Sequence, residues 1–251
     1  MIRGITDTVK HLIIINVVMF IGTLTVGGGQ LFYEWFALYF PENVLFKPWQ
    51  IITHMFMHGG PTHILFNMFA LWMFGTAVET QLGSKKFLFL YISAGLGAML
   101  FQLGYYYFNY FPSYSELIAS GLTDGQVMEM LKTNKVVGEL TSSQMSAAQH
   151  AYTAYNASMV GASGCIMGIL AAFGMMNPEA KLMLIFLPIP IKAKYFIPGI
   201  IILDIISALT GQSFFSPSNT AYMAHVGGAI TGFLIMWYWK KTQFNKNRWD
   251  R

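Results

Sequence analysis

Five polar side chains interrupt stretches that are otherwise built from apolar residues: His63, Asn67, Ser163, Asp204 and His225. A serine hydroxyl at pH 7 becomes a useful nucleophile only when a hydrogen-bonded base takes its proton, and imidazole has the basicity for that task. Ser163 and His225 are therefore a candidate nucleophile and general base. His63 and Asn67, four residues apart, share one helix face, and both can donate hydrogen bonds. Together with the backbone N–H of Ser163 they could stabilise a developing oxyanion. A serine or histidine taken singly carries little weight, since the first bonds back to its own helix and the second is often a satisfied structural group. Position links these four, because each falls near the start of its apolar segment.

The sequence also offers a means of close approach. Ser163 sits in Gly161-Ala162-Ser163-Gly164, and Gly168 follows Gly164 on the same helical face; Ala224, Gly228 and Gly232 line the helix that carries His225. Small residues let two backbones come together, so that a short serine side chain can reach an imidazole. Other membrane chemistries fit less well. His54, His58 and His63 supply imidazoles but no glutamate at His-Glu-x-x-His spacing, which disfavours a zinc protease. Asp204 is the one carboxylate inside an apolar stretch, so an aspartyl dyad lacks its second member; Asp204 reads as a structural or interfacial group near the outer end of the fifth span. A transporter would show related halves or broken helices around a midplane site. No related halves are apparent, while Pro188, Pro190 and Pro198 keep a broken helix open.

The elements that must hold these groups follow from composition. Of 251 residues, 55% are hydrophobic and 10% are charged, against about 25% charged in a soluble domain. Mean hydropathy is +0.49, with 21 Phe, 13 Tyr and 6 Trp. This excludes a disordered chain, and Cys165 alone excludes an intramolecular disulfide. Net charge is +4; in so apolar a chain the excess of Lys and Arg reports topology and gives no reason to expect a nucleic-acid partner. A spanning helix needs about 20 mostly apolar residues. Six candidates emerge: Leu12 to Gly28, Thr62 to Val78, Phe87 to Phe108, Ala157 to Met176, a Pro-interrupted stretch starting near Tyr195 and ending at Leu209, and Ala221 to Trp239.

Six spans place Arg3, Lys10, Lys85, Lys86, Lys181, Lys192, Lys194, Lys240, Lys241, Lys246, Arg248 and Arg251 on one side, and Lys47, Lys132 and Lys135 on the other. The positive side is expected to be the cytoplasm, with both termini in it and the chain in a bacterial-type plasma (inner) membrane. Ser163, His225, His63 and Asn67 then lie roughly 5 to 10 Å below the outer surface, at 1.5 Å rise per residue. Between the first and second spans, residues 30–61 are aromatic-rich and suit an amphipathic first outer loop at headgroup level. Residues 109–156 contain two Thr-x-x-Gln capping boxes, Thr123 with Gln126 and Thr141 with Gln144. They are expected to form an outer-side helical insertion between spans three and four, with stripes of Val127, Met130 and Leu131 and of Met145, Ala148, Tyr152 and Tyr155. The expected organisation is one membrane domain over 1–251, all-α, with this one insertion.

His63-Ile-Leu-Phe-Asn67 resembles the His-x-x-x-Asn of rhomboid intramembrane serine proteases. Gly161-Ala-Ser163-Gly164 resembles their Gly-x-Ser-Gly, and Ala224-His225-Val-Gly-Gly228 their Ala-His-x-x-Gly. The three motifs occur in the family's order, over roughly Leu12 to Trp239. The resemblance implies a six-transmembrane-helix bundle that cuts transmembrane protein substrates in the bilayer with a Ser163/His225 dyad, no acidic third member, no metal and no cofactor. It makes His63 and Asn67 oxyanion donors and Gly211 to Thr220 a cap loop, and leaves the oligomeric state open. The alternative is a catalytically silent relative that binds transmembrane helices without cutting them. Two positions depart from the family pattern. Trp49-Gln50 stands where the family often has Trp-Arg, which removes an ion pair, conceivably with Glu79, that would anchor the first loop. Met167 stands where an aromatic often packs on the catalytic histidine.

Overall fold

A computed structural model of the chain describes residues 4–136, 138–184, 187–213 and 221–246. Most of the expected cap loop, residues 214–220, lies outside the described residues, as do Arg3, Arg248 and Arg251. The fold is all-helical apart from two short strand pairs. In chain order the elements are α1 (Asp7–Thr25), α2 (Gln30–Phe36), β1 (Leu38–Tyr39), α3 (Gln50–Thr53), α4 (Pro61–Ala70), α5 (Thr76–Leu82) and α6 (Ser84–Ala119). They continue as α7 (Asp124–Thr133), α8 (Ser142–Tyr155), β2 (Ser158–Met159), α9 (Ser163–Met176), β3 (Lys181–Leu184), β4 (Leu187–Lys192), α10 (Ala193–Thr210) and α11 (Tyr222–Lys246).

Each expected apolar span contains a helix, but the fourth, expected from Ala157, begins its helix only at Ser163, because Ser158–Met159 pair as a strand with the first loop. Three stretches, Asp7–Phe36, Ser84–Ala119 and Ala193–Thr210, are long and apolar enough to cross a bilayer, and α9 is a shorter apolar helix. The first stretch is interrupted where Gly27, Gly28 and Gly29 take positive φ and fold α2 back from α1. The second expected span is α4 and α5 joined by a π turn at Leu71–Gly75, so 61–82 runs without a break. The lipid-type exterior is evident in the exposed Val18, Leu65, Phe89, Leu100, Leu209 and Tyr238.

A leucine gains nothing by leaving lipid for a helix interface, so helices in a bilayer associate through close packing and hydrogen bonds. The centre of this bundle follows that rule. α6, α9 and α11 meet along small residues: a Cβ on Gly97 would strike Thr231, one on Gly168 would strike Ala94, and one on Gly227 would strike Phe101. Around this seam Val9, Leu71, Phe87, Leu90, Ile166 and Ile169 form the main core. At one end Glu79 ties three helices together. It accepts from Thr6 Oγ1 (2.5 Å), the N–H groups of Thr8 (3.2 Å) and Val9 (3.1 Å), and Ser84 Oγ (2.6 Å), which caps the first turn of α1 and fastens it to the start of α6.

Glu79 is therefore no anchor for the first loop; Gln50 fills that role without an ion pair. Gln50 is fully buried. Its Oε1 accepts from Lys47 N (3.0 Å) and Tyr39 N (3.3 Å), and its Nε2 donates to Leu45 O (2.9 Å) and Glu34 O (3.0 Å). Trp49 adds a bond from Nε1 to Trp35 O at 2.8 Å.

The 109–156 segment differs from a free-standing hairpin. Its first residues continue α6, whose 36 residues span about 54 Å at 1.5 Å each and so outrun a hydrocarbon core of about 30 Å. On that extension α7 and α8 build a second core from Tyr110, Leu117, Val127, Met130, Leu131, Ala147, Ala151, Ala154 and Tyr155. Both capping boxes form. The α7 stripe is as expected; in α8 Tyr155 is buried and Ala148 and Tyr152 pack on this core as expected, but Ala147, Ala151 and Ala154 are the more deeply buried and Met145 is exposed. Alanines face inward there because the α6 side of the interface already carries the large tyrosine rings. Phe40 of the first loop inserts among Tyr106, Tyr107 and Tyr110, with ring centroids at 6.5, 4.7 and 5.0 Å.

Between α9 and α10, β3 and β4 pair antiparallel. Glu179 bridges Lys192 (2.6 Å) and Lys194 (2.5 Å) at the foot of this hairpin. Hydrogen bonds from the two ammonium groups hold the Glu179 carboxyl down at about 2.

Candidate active site

Ser163 is the first residue of α9. The backbone N–H groups of a helix's first turn have no intrahelical acceptor and lie at the positive end of the macrodipole, so the Ser163 N–H is available to an anion. The approach to this helix is held rigidly. Leu38 and Tyr39 pair with Met159 and Ser158, Phe40 N donates to Ala157 O (3.3 Å), and Asn43 Nδ2 donates to Tyr155 O (2.8 Å). Gly161 N then donates to His54 O (2.9 Å), and Gly161 takes φ +128, a conformation that strains any residue with a Cβ. The first loop and α8 thus fix the position of the serine.

His63 is in the first turn of α4, behind Pro61. Gly59 N–H donates to its Nδ1 at 3.4 Å, which assigns the proton to Nε2. That Nε2 faces Gly161. A Cβ placed on Gly161 would lie 2.9 Å from His63 Nε2 and 3.6 Å from Ser163 Oγ, so the imidazole donor and the hydroxyl flank the same glycine. His58 is buried against His63, ring centroids 5.0 Å apart. One turn further along α4, Asn67 is 7% exposed, and its Nδ2 has no hydrogen-bond partner among the described residues. A buried amide left unpaired costs about 1–3 kcal/mol, and such groups tend to mark a functional role.

His225 is in the first turn of α11 and is buried. Ala224 N donates to Gln102 Oε1 of α6 (3.1 Å). α11 meets α9 backbone to backbone beside the serine: Gly164 faces the Ala224 carbonyl, and Gly228 faces the Gly164 carbonyl. Asp204 of α10 is 2% exposed, and its Oδ2 is 2.9 Å from His225 Nδ1. The sequence reads Asp204 as a structural or interfacial group near the outer end of the fifth span; the structure gives it a specific partner in His225. The sequence signal was its standing as the only carboxylate inside an apolar span; the rotation of α10 that aims it at His225 is a tertiary property. Met167 is buried in the main core.

The structure thus brings His63 to Ser163, and Asp204 to His225, at one end of an all-helical membrane bundle where α4, α9 and α11 all begin. The family model for the Rhomboid domain matches residues 45–127 and 126–242, and the chain belongs to the rhomboid family. It is 29% identical over 192 residues to Rhomboid protein 1, mitochondrial, of Saccharomyces cerevisiae, covering 76% of this chain and 42% of that protein. It is 30% identical over 205 residues to presenilin-associated rhomboid-like protein, mitochondrial, of Rattus norvegicus, covering 80% and 40%. It is 34% identical over 95 residues to rhomboid protease GlpG of Salmonella choleraesuis, covering 38% and 34%. The chain spans about two fifths of the length of the mitochondrial relatives it matches.

These relatives correct one expectation. Proteins that resemble most of this chain carry mitochondrial names, so the placement in a bacterial plasma membrane, with cytoplasmic termini, does not stand. The physical reason is that a Lys/Arg bias orders the two ends of a bundle relative to each other and carries no compartment label. A multi-pass membrane protein of a family that includes membrane proteases remains.

Proposed function

We propose that this chain is an intramembrane serine endopeptidase that hydrolyses peptide bonds of transmembrane protein substrates. The observation that carries this reading is the arrangement around Gly161: His63 Nε2 and Ser163 Oγ lie on the side of the glycine where any Cβ would stand, 2.9 and 3.6 Å from that position. In the proposed reaction Ser163 Oγ attacks the scissile carbonyl carbon as its proton passes to His225 Nε2. The carbonyl oxygen, now an oxyanion, accepts from His63 Nε2–H, Asn67 Nδ2–H and the Ser163 N–H, donors fixed before the charge develops. His225 returns the proton to the leaving amine, the C–N bond breaks and an acyl-enzyme forms. Water, deprotonated by His225, then attacks the ester carbon; the ester C–O bond breaks, Ser163 Oγ takes the proton back from His225, and the carboxylic acid product is released.

The same reading makes the chain one rhomboid-type domain of six spans, formed by α1, α4 with α5, α6, α9, α10 and α11, with 109–156 as an insertion at the end of the bundle that holds the site. Substrate cleavage is expected near the membrane end on that side, since α4, α9 and α11 all present their first turns there.

The test is cleavage of a helical reporter substrate in liposomes by wild type, Ser163→Ala and His225→Ala. Cleavage by wild type alone is expected. Equal cleavage by Ser163→Ala would remove the nucleophile assignment, and a wild type that binds the reporter without cutting it would favour the silent, helix-binding alternative.

A further inference from the structure

The Asp204–His225 contact lies beyond the Ser163/His225 chemistry, although its meaning rests on that reading. α10 is a peripheral helix: Ile202 and Leu209 are 56% and 81% exposed, and the face it buries consists of Ala193, Ile197, Asp204 and Ser207. A carboxylate on such a face is costly, because desolvating it exceeds what a leucine would cost at the same place. It is not placed there to cap a helix or to pair with Lys or Arg; the partner observed is an imidazole nitrogen at 2.9 Å, with side chains 3% and 11% exposed for Asp204 and His225.

The geometry also selects an atom. An ionised carboxylate can only accept, so His225 Nδ1 must donate, which leaves Nε2 as the ring's unprotonated acceptor. That is the tautomer a general base for Ser163 needs. The Asp204 carboxylate supplies the orientation of the ring from α10.

We propose that Asp204 is a positioning residue for His225: its Oδ2 holds the ring in the Nδ1–H tautomer and in the orientation that lets Nε2 receive the Ser163 proton. The carboxylate stays ionised throughout, and no proton passes to it. The chain then works with a Ser163–His225–Asp204 arrangement, the acid reaching the site from α10.

The full chain in liposomes tests this with the helical reporter. Asp204→Asn is expected to lower kcat by about 10²-fold or more with KM little changed, the signature of a lost orienting acid. Asp204→Glu is expected to recover a large part of the loss, because it restores an acceptor-only group. Histidine-selective 15N NMR of the wild type, with the His225 signal identified by its absence in His225→Gln, should show a strongly deshielded Nδ1–H and an unprotonated Nε2. A folded Asp204→Asn with kcat within about twofold of wild type, while Ser163→Ala is inactive, would overturn the proposal and leave the Ser163 assignment intact. An Nε2–H tautomer for His225 in the wild type would overturn it equally, even if the Asp204 variants fail to fold. Cleavage by Ser163→Ala would instead overturn the protease reading, with the NMR tautomer still reporting on the Asp204–His225 link.

Discussion

Gly228 of α11 and Gly164 of α9 meet backbone to backbone, so that a Cβ on Gly228 would fall on the Gly164 carbonyl oxygen. This contact sets the distance between the helix that carries Ser163 and the helix that carries His225. Neither side can yield easily, because the obstacle is main chain and not the tip of a flexible side chain.

Gly228→Ala is therefore expected to force α9 and α11 apart, to lower stability by about 1–3 kcal/mol or more, and to depress kcat even where the protein still folds. Gly104→Ala in α6 is the control, since a Cβ there meets nothing within 4 Å; the better helix propensity of alanine should leave stability unchanged or raise it by about 0.5–1 kcal/mol. Thermal unfolding in a bilayer mimetic and reporter cleavage measure both effects.

Asn67 carries a buried amide donor with no partner among the described residues. If that donor waits for the oxyanion, Asn67→Ala should reduce kcat by about 10²-fold or more with little change in KM. Asn67→Leu, which keeps the volume and removes the unpaired amide, should reduce kcat as severely while holding or raising Tm. An unchanged kcat in both variants would show that the amide takes no part in the reaction.

Gln50→Ala removes the one side chain that joins residues 34, 39, 45 and 47. The buried N–H and C=O groups left behind each cost about 1–3 kcal/mol, so amide exchange should accelerate across 34–50. It should do so much less in α9, where the helix retains its own bonds. Uniform acceleration throughout the chain would mean that Gln50 supports the whole bundle and not the loop.

Glu179 gives the pH dependence with a definite sign. Its carboxyl is held at about 2 in the folded protein, against 4.5 as its ordinary value, so the folded state favours the ionised form. The contribution is complete above the ordinary value and is lost as pH falls from there through about 2. Exchange protection in the β3–β4 hairpin should fall over that interval in wild type and be lower, with a flatter profile, in Glu179→Gln. Because Glu179 is fully exposed, the effect should remain local to the hairpin and the start of α10.

The apolar stretches were legible because a bilayer demands about 20 apolar residues per crossing; each contains a helix, although the fourth begins at Ser163 and not at Ala157. His63, Asn67, Ser163 and His225 were singled out because their types, spacing and depth coincide, and the structure places His63 beside Ser163. The pairing of Asp204 with His225 was not legible, since it depends on how α10 is rotated against α11, and a single carboxylate in a helix gives no direction. Gln50 looked like a missing charge; its backbone contacts at residues 34, 39, 45 and 47 arise only when the loop folds around it. The α8 stripe was legible only in part because alternating alanines and tyrosines permit two neighbouring faces, and contact with the α6 tyrosines buries the alanine face more deeply. The compartment was misjudged because charge bias orients a helix bundle without naming its membrane.

The central claim is that His225 makes Ser163 a nucleophile, and covalent labelling tests it most directly. A fluorophosphonate probe applied to the full chain in liposomes should attach to Ser163, as read by mass spectrometry of the peptide that contains Gly161 to Gly164, and labelling should vanish in His225→Ala. Labelling of a different serine, or undiminished labelling of Ser163 in folded His225→Ala, would contradict the account.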